Sequence, residues 1–179
     1  EEMLPITAKE IMKKMDALTA AGKISPKSKV MFVDDGSKDK TWQIISQLNS
    51  MSDMFTGVKL SRNKGHQNAL LAGLMTAKNY ADIIVSMDAD LQDDINAIDG
   101  FLEKRAEGCD IVYGVRSSRE KDTAFKRNTA QAYYKILEKM GVEITYNHAD
   151  YRLMSKRAVE ALAEFKEVNL FLRGLVPMV

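Results

Sequence analysis

Ile83-Ile84-Val85-Ser86-Met87-Asp88-Ala89-Asp90 is the stretch on which the fold turns. Its apolar part is too short for a helix and opens on β-branched residues, so it reads as a buried strand over Ile83–Met87. It stops on two carboxylates. A second run of the same kind, Val30-Met31-Phe32-Val33, stops on Asp34-Asp35-Gly36-Ser37. Further strands are expected over Gly57–Ser61 and Ile111–Val115. Between them, Trp42, Ile45, Leu48 and Met51 recur at helical spacing, as do Leu70, Leu71, Leu74 and Met75 from Gln67 to Lys78. Ile98, Phe101, Leu102 and Ala106 mark another helical face. Strand and helix therefore alternate from Val30 to Val115, which predicts an α/β fold with a parallel sheet covered on both faces.

Working outward, Thr7-Ala8-Lys9-Glu10 reads as a capping box for a first helix that Gly22 ends. Beyond Val115, residues 116–130 are rich in charge and read as a loop. Residues 131–140 read as a helix, and Ser155 is expected to cap another that runs to Phe165.

The 179 residues suffice for one sizeable domain. A hydrophobic share of 45% excludes disordered and low-complexity classes. A net charge of +1 argues against nucleic acid as the partner. The single Cys109 excludes an internal disulfide and a cysteine zinc cluster. No apolar run reaches the roughly 18 residues of a spanning helix. The acidic opening is unlike a secretory signal. The chain itself is thus expected to be soluble. It opens almost directly on a helix and stops within Leu175-Val176-Pro177-Met178-Val179, so residues 1–179 are expected to be one domain truncated at both ends.

Two acidic strand ends of one parallel sheet should share an edge. Crowded carboxylates repel one another unless a cation intervenes. A hard divalent ion does this with one or two carboxylates and substrate phosphate oxygens. Asp88 and Asp90, two apart, should point the same way if the backbone stays extended. Arg116, Arg119, Lys121, Lys126 and Arg127, with Arg173 further on, are candidate phosphate-binding cations. His66 reads as a polar residue at a helix N-terminus rather than a metal ligand. The sequence has no His-x-x-x-His pair and no glycine-rich phosphate loop.

Val33-Asp34-Asp35-Gly36-Ser37-Lys38-Asp39-Lys40-Thr41 resembles the first nucleotide-binding motif of the family 2 glycosyltransferases of GT-A fold. Arg62-Asn63-Lys64-Gly65-His66-Gln67-Asn68-Ala69-Leu70 is similar to the segment that follows in that family. Met87-Asp88-Ala89-Asp90-Leu91-Gln92-Asp93 resembles its Asp-x-Asp metal motif, in the form found in the polyprenyl-phosphate glycosyltransferases. Tyr113-Gly114-Val115-Arg116, Asp150-Tyr151-Arg152-Leu153-Met154 and Asn169-Leu170-Phe171-Leu172-Arg173-Gly174 extend the match in order.

The resemblance implies a GT-A-like, mostly parallel sheet with helices on both faces. It also implies an inverting, metal-dependent transfer of sugar from a UDP- or GDP-sugar to a polyprenyl phosphate. Asp34 and Asp35 would contact the base or ribose. Asp88, Asp90 and Gln92 would hold Mg²⁺ or Mn²⁺ and the donor diphosphate, with Arg173 near its phosphates. Arg116 and Arg127 would grip the acceptor phosphate, and Asp150 would be the base or the acceptor-orienting carboxylate. The parent protein would act at the cytoplasmic side of a membrane in cell-envelope synthesis, through segments this chain lacks.

The family opens with a strand of which only Glu1-Glu2 could be the tail, so that strand is expected to be missing. Pairing with a second copy could fill the gap. Two other functions stay open: a family 2 transferase acting on a saccharide, and, more remotely, a receiver-like signalling domain phosphorylated on Asp88.

Overall fold

The computed structural model of the chain describes residues 1–115, 148–165 and 172–179. Its elements are α1 (Leu4–Ala20), β1 (Val30–Asp34), α2 (Thr41–Met51), β2 (Phe55–Lys59), α3 (His66–Ala77) and β3 (Ile83–Ser86). They continue with α4 (Ala97–Ala106), β4 (Ile111–Val115), β5 (His148–Ser155), α5 (Lys156–Leu162) and α6 (Leu172–Leu175), which runs into a 3₁₀ turn at Val176–Met178. The α/β alternation read from the sequence is present.

The pairing departs from a mostly parallel sheet. Among the described residues β1 and β2 form a parallel pair, and a separate sheet has the order β3-β5-β4 with both ladders antiparallel. Strands β3 and β4 run the same way, joined across α4, and leave one strand's width between them. Strand β5 fills that width from the opposite direction. Ser86 lies opposite Arg152, and Val85 opposite Leu153.

The core has three parts. Leu4 and Ala8 of α1 and Ile45 of α2 pack on Phe32 and Phe55 of the parallel pair. Helix α3 bridges the two sheets. A Cβ on Gly73 would lie 2.8 Å from Val33 of β1, while Leu74 joins Met154, Val159, Leu162 and Leu172, with Ile84 of β3 against them. Phe101 of α4 packs on Tyr151 and Leu153. Residues of a strand alternate between its faces. Tyr151 and Leu153 therefore face α4, while Asp150, Arg152 and Met154 face α3. Helices thus cover both faces, as expected.

Local signals fared unevenly. Ser155 caps α5 by accepting from the Ala158 amide. The capping box at Thr7 does not form, because Pro5 starts α1 earlier. The Thr7 hydroxyl instead lies 2.7 Å from Ala89 O and ties α1 to the loop after β3. The strand expected over Gly57–Ser61 begins two residues sooner, at Phe55, because that ring is buried against Phe32. The helix expected over 131–140 lies outside the described residues.

Candidate functional site

The β1 strand delivers Asp34 buried, at 2% exposure. Its Oδ1 accepts from the Ser37 amide at 2.9 Å, which shapes the turn that follows. Gly36 makes that turn possible: its φ is +68°, and a Cβ would lie 2.4 Å from the Arg62 carbonyl carbon. The two loops pass this close because Asp35 ties them together. Its Oδ1 accepts from the Lys64 amide at 2.7 Å and its Oδ2 from the Gly65 amide at 2.9 Å. Asp34 and Asp35 thus fix the course of the two loops at the end of β1.

Gly65, with φ +85°, turns the chain into α3, so His66 is the first residue of that helix. The sequence placed His66 at a helix N-terminus, and the structure agrees. It adds a partner 84 residues away, since His66 Nε2 lies 2.9 Å from Asp150 Oδ2. Asp150 is buried at 7% exposure. Its Oδ1 accepts from Arg152 NH2 at 3.0 Å. The Ser86 hydroxyl donates to the Asp150 backbone carbonyl at 2.6 Å. The next residue of α3, Gln67, accepts from the Leu172 amide and anchors the start of α6 beside the site.

Beyond Ser86 the backbone leaves the strand. Asp88 and Asp90 therefore lie in the connecting loop rather than on an extended backbone. Asp90 Oδ1 accepts from the Gln92 amide at 3.0 Å, and Leu91 between them adopts φ +58°. A left-handed leucine costs about 1 kcal/mol or more and persists only where the surroundings enforce it. Asp88 and Gln92 are accessible. Desolvation is the main cause raising the Asp88 carboxyl above its ordinary range. His66 opposes it, and Asp90, Asp93 and Asp150 add to it. The two acidic strand ends do not share one parallel sheet; a chain of contacts instead runs from Asp35 through Gly65 and His66 to Asp150, with Asp88 near His66, across the two sheets.

Among the described residues no cluster of three or more His, Cys, Asp or Glu side chains is arranged to hold a metal alone. The charge pattern around Asp88 nevertheless suits a cation completed by substrate phosphates. Arg116, Arg119 and Arg127 lie outside the described residues. Arg173 falls within α6, and its side chain is likewise outside them.

Sequence reasoning missed Arg152, Ser86 and Gln67. Arg152 carried one available signal, its i,i+2 spacing from Asp150 on a strand. No described helix is long and apolar enough to cross a membrane.

The family model "Glycosyl transferase family 2" matches residues 9–163. An uncharacterized glycosyltransferase, YkoT, of Bacillus subtilis (strain 168) is 51% identical over 179 residues, all of this chain and 53% of that protein. The bactoprenol glucosyl transferase of Shigella phage SfV is 38% identical over 151 residues, 84% of this chain and 48% of that protein. The prophage bactoprenol glucosyl transferase homolog of Escherichia coli (strain K12) is 39% identical over 151 residues, 84% of this chain and 49% of its own length. The chain spans about half the length of these curated relatives.

Proposed function

The chain belongs to glycosyl transferase family 2, and from that premise we propose that it forms the catalytic part of a hexosyltransferase. It moves a sugar from a nucleotide-sugar donor to a polyprenyl phosphate, with inversion and with Mg²⁺ or Mn²⁺. The receiver-like alternative falls with family membership. The bactoprenol acceptor named for two relatives supports a lipid phosphate over a saccharide.

One observation carries the reading: the acidic residues around Asp88 stand at the same edge as Asp150, held between His66 and Arg152. In the reaction an acceptor phosphate oxygen bonds to the anomeric carbon. The bond from that carbon to the donor diphosphate breaks, and the nucleoside diphosphate leaves. Asp88, Asp90 and Gln92 would hold the cation, which supplies charge stabilisation for that leaving group. Asp34 and Asp35 shape the loops against which the base or ribose rests. A phosphate acceptor is already anionic near neutral pH, so Asp150 orients more than it deprotonates. Arg116 and Arg127 grip the acceptor phosphate, and Arg173 lies near the donor phosphates.

Thermal unfolding with UDP, GDP and other nucleoside diphosphates, each with and without Mn²⁺, tests the donor site. One nucleotide at about 100 times its Kd should add about 2.7 kcal/mol, and only with metal. Stabilisation without metal would remove the cation's role. Transfer to a soluble saccharide in preference to a polyprenyl phosphate would overturn the acceptor.

A further inference from the structure

We propose that His66 is a positioning residue that holds the Asp150 carboxylate in its acceptor-facing orientation. The inference rests on the reading of Asp150 given above.

Each oxygen of Asp150 has a partner on a different element. His66 Nε2 from the start of α3 is 2.9 Å from Oδ2, and Arg152 NH2 from β5 itself is 3.0 Å from Oδ1. Ser86 of β3 fixes the backbone behind it. These groups are not equivalent. Arg152 is fully buried, so it belongs to the interior whatever the site does. The His66 side chain is 54% exposed. With the His66 side of the pair open to solvent, the contact adds little to stability beyond what Arg152 already gives the buried Asp150. What the contact does provide is direction. Arg152 holds Oδ1, and a donor on Oδ2 from α3 restrains the carboxylate plane from turning. In this contact Nε2 carries the proton and donates, since an ionised carboxylate only accepts.

The geometry of α3 makes the arrangement deliberate in a physical sense. Gly65 at φ +85° allows the abrupt helix start that puts position 66 opposite β5, and Asp35 holds the Gly65 amide in place. His66 is therefore mechanically coupled to the loop that the nucleotide would touch as well as to Asp150.

The test uses the intact enzyme with nucleotide sugar and polyprenyl phosphate. His66→Ala should lower kcat by about 10- to 100-fold, the scale of a small misplacement at a reacting centre. The donor KM should stay within about 2-fold, and the melting temperature within about 2 °C. His66→Gln, whose amide can donate from a similar place, should regain most of the loss. His66→Ala added to Asp150→Asn should cost less than about 2-fold more, because the two act as one unit. Wild-type kcat in His66→Ala, or no rescue by glutamine, overturns the proposal.

An activity-independent arm follows the His66 ring nitrogens by NMR in ligand-free protein. Asp150→Asn should move them, and an unmoved signal also overturns the proposal. Were the wild type to transfer no sugar to polyprenyl phosphate, the acceptor reading would fall, while the ring signal would still decide whether His66 holds Asp150.

Discussion

In the β1–β2 half, the carboxylates of Asp34 and Asp35 accept from backbone amides of neighbouring loops, whereas in the β3-β5-β4 half Asp88 and Asp150 face other side chains. The first arrangement builds shape. Each hydrogen bond satisfies a main-chain donor and fixes where a loop runs. The second arrangement gathers charge, since Asp90, Asp93 and Asp150 add to the desolvation that raises the Asp88 carboxyl, with His66 opposing them. Two acidic strand ends that look alike in sequence therefore do different work, and the difference follows from what each half packs beside them.

The largest effect should come from breaking the buried pair of the antiparallel half. Arg152→Ala leaves Asp150 buried beside the gap and should cost about 3–5 kcal/mol in urea unfolding. A loss under about 1 kcal/mol would mean that water reaches Asp150 freely.

Loosening the loops of the parallel half should cost less. Asp35→Ala removes two hydrogen bonds to backbone amides and should lower stability by about 1–2 kcal/mol. It should also weaken nucleotide binding, measurable by titration calorimetry. An unchanged affinity would limit Asp35 to holding its own loop.

Asp88→Asn should sharpen the contrast with a change of opposite sign. Removing a charge that partial desolvation and its acidic neighbours disfavour should raise the melting temperature of the ligand-free protein slightly while abolishing metal-dependent transfer. A lowered melting temperature with activity retained would reverse the assignment of the two halves.

The smallest effect concerns Asp99, on α4, which pairs with Lys14 of α1 and, at 2.8 Å, with Lys23. Hydrogen bonds from these lysines lower its carboxyl to about 2. A depressed carboxylate contributes stability above its unfolded value near 3.8, and that contribution fades as pH falls toward about 2. Lys14→Gln with Lys23→Gln should flatten this acid limb, followed by thermal melts across that window.

Much of the first half of the chain was legible because its signals are local. Val30–Val33 and Ile83–Met87 are apolar runs that stop on carboxylates, and each became a strand, β1 ending on Asp34 and β3 ending at Ser86 with Asp88 and Asp90 in the loop beyond it. Ser155 announced its helix by a side chain that bonds three residues on. His66 was correctly placed at the start of a helix, but its partner was invisible. Strand β5 was the main omission. Asp150 and Arg152 interrupt its hydrophobic pattern, and a charged pair reads as solvent-exposed unless both members are seen to bury against each other.

By itself, then, the sequence determined the α/β alternation, the acidic strand ends and the family motifs, since periodicity and turn chemistry act over a few residues. Only the tertiary structure decided that β5 runs antiparallel between β3 and β4, and that this direction carries Asp150 to the start of α3. Strand direction and the partner of a buried charge are set by packing between residues far apart in the chain, where no local pattern reaches.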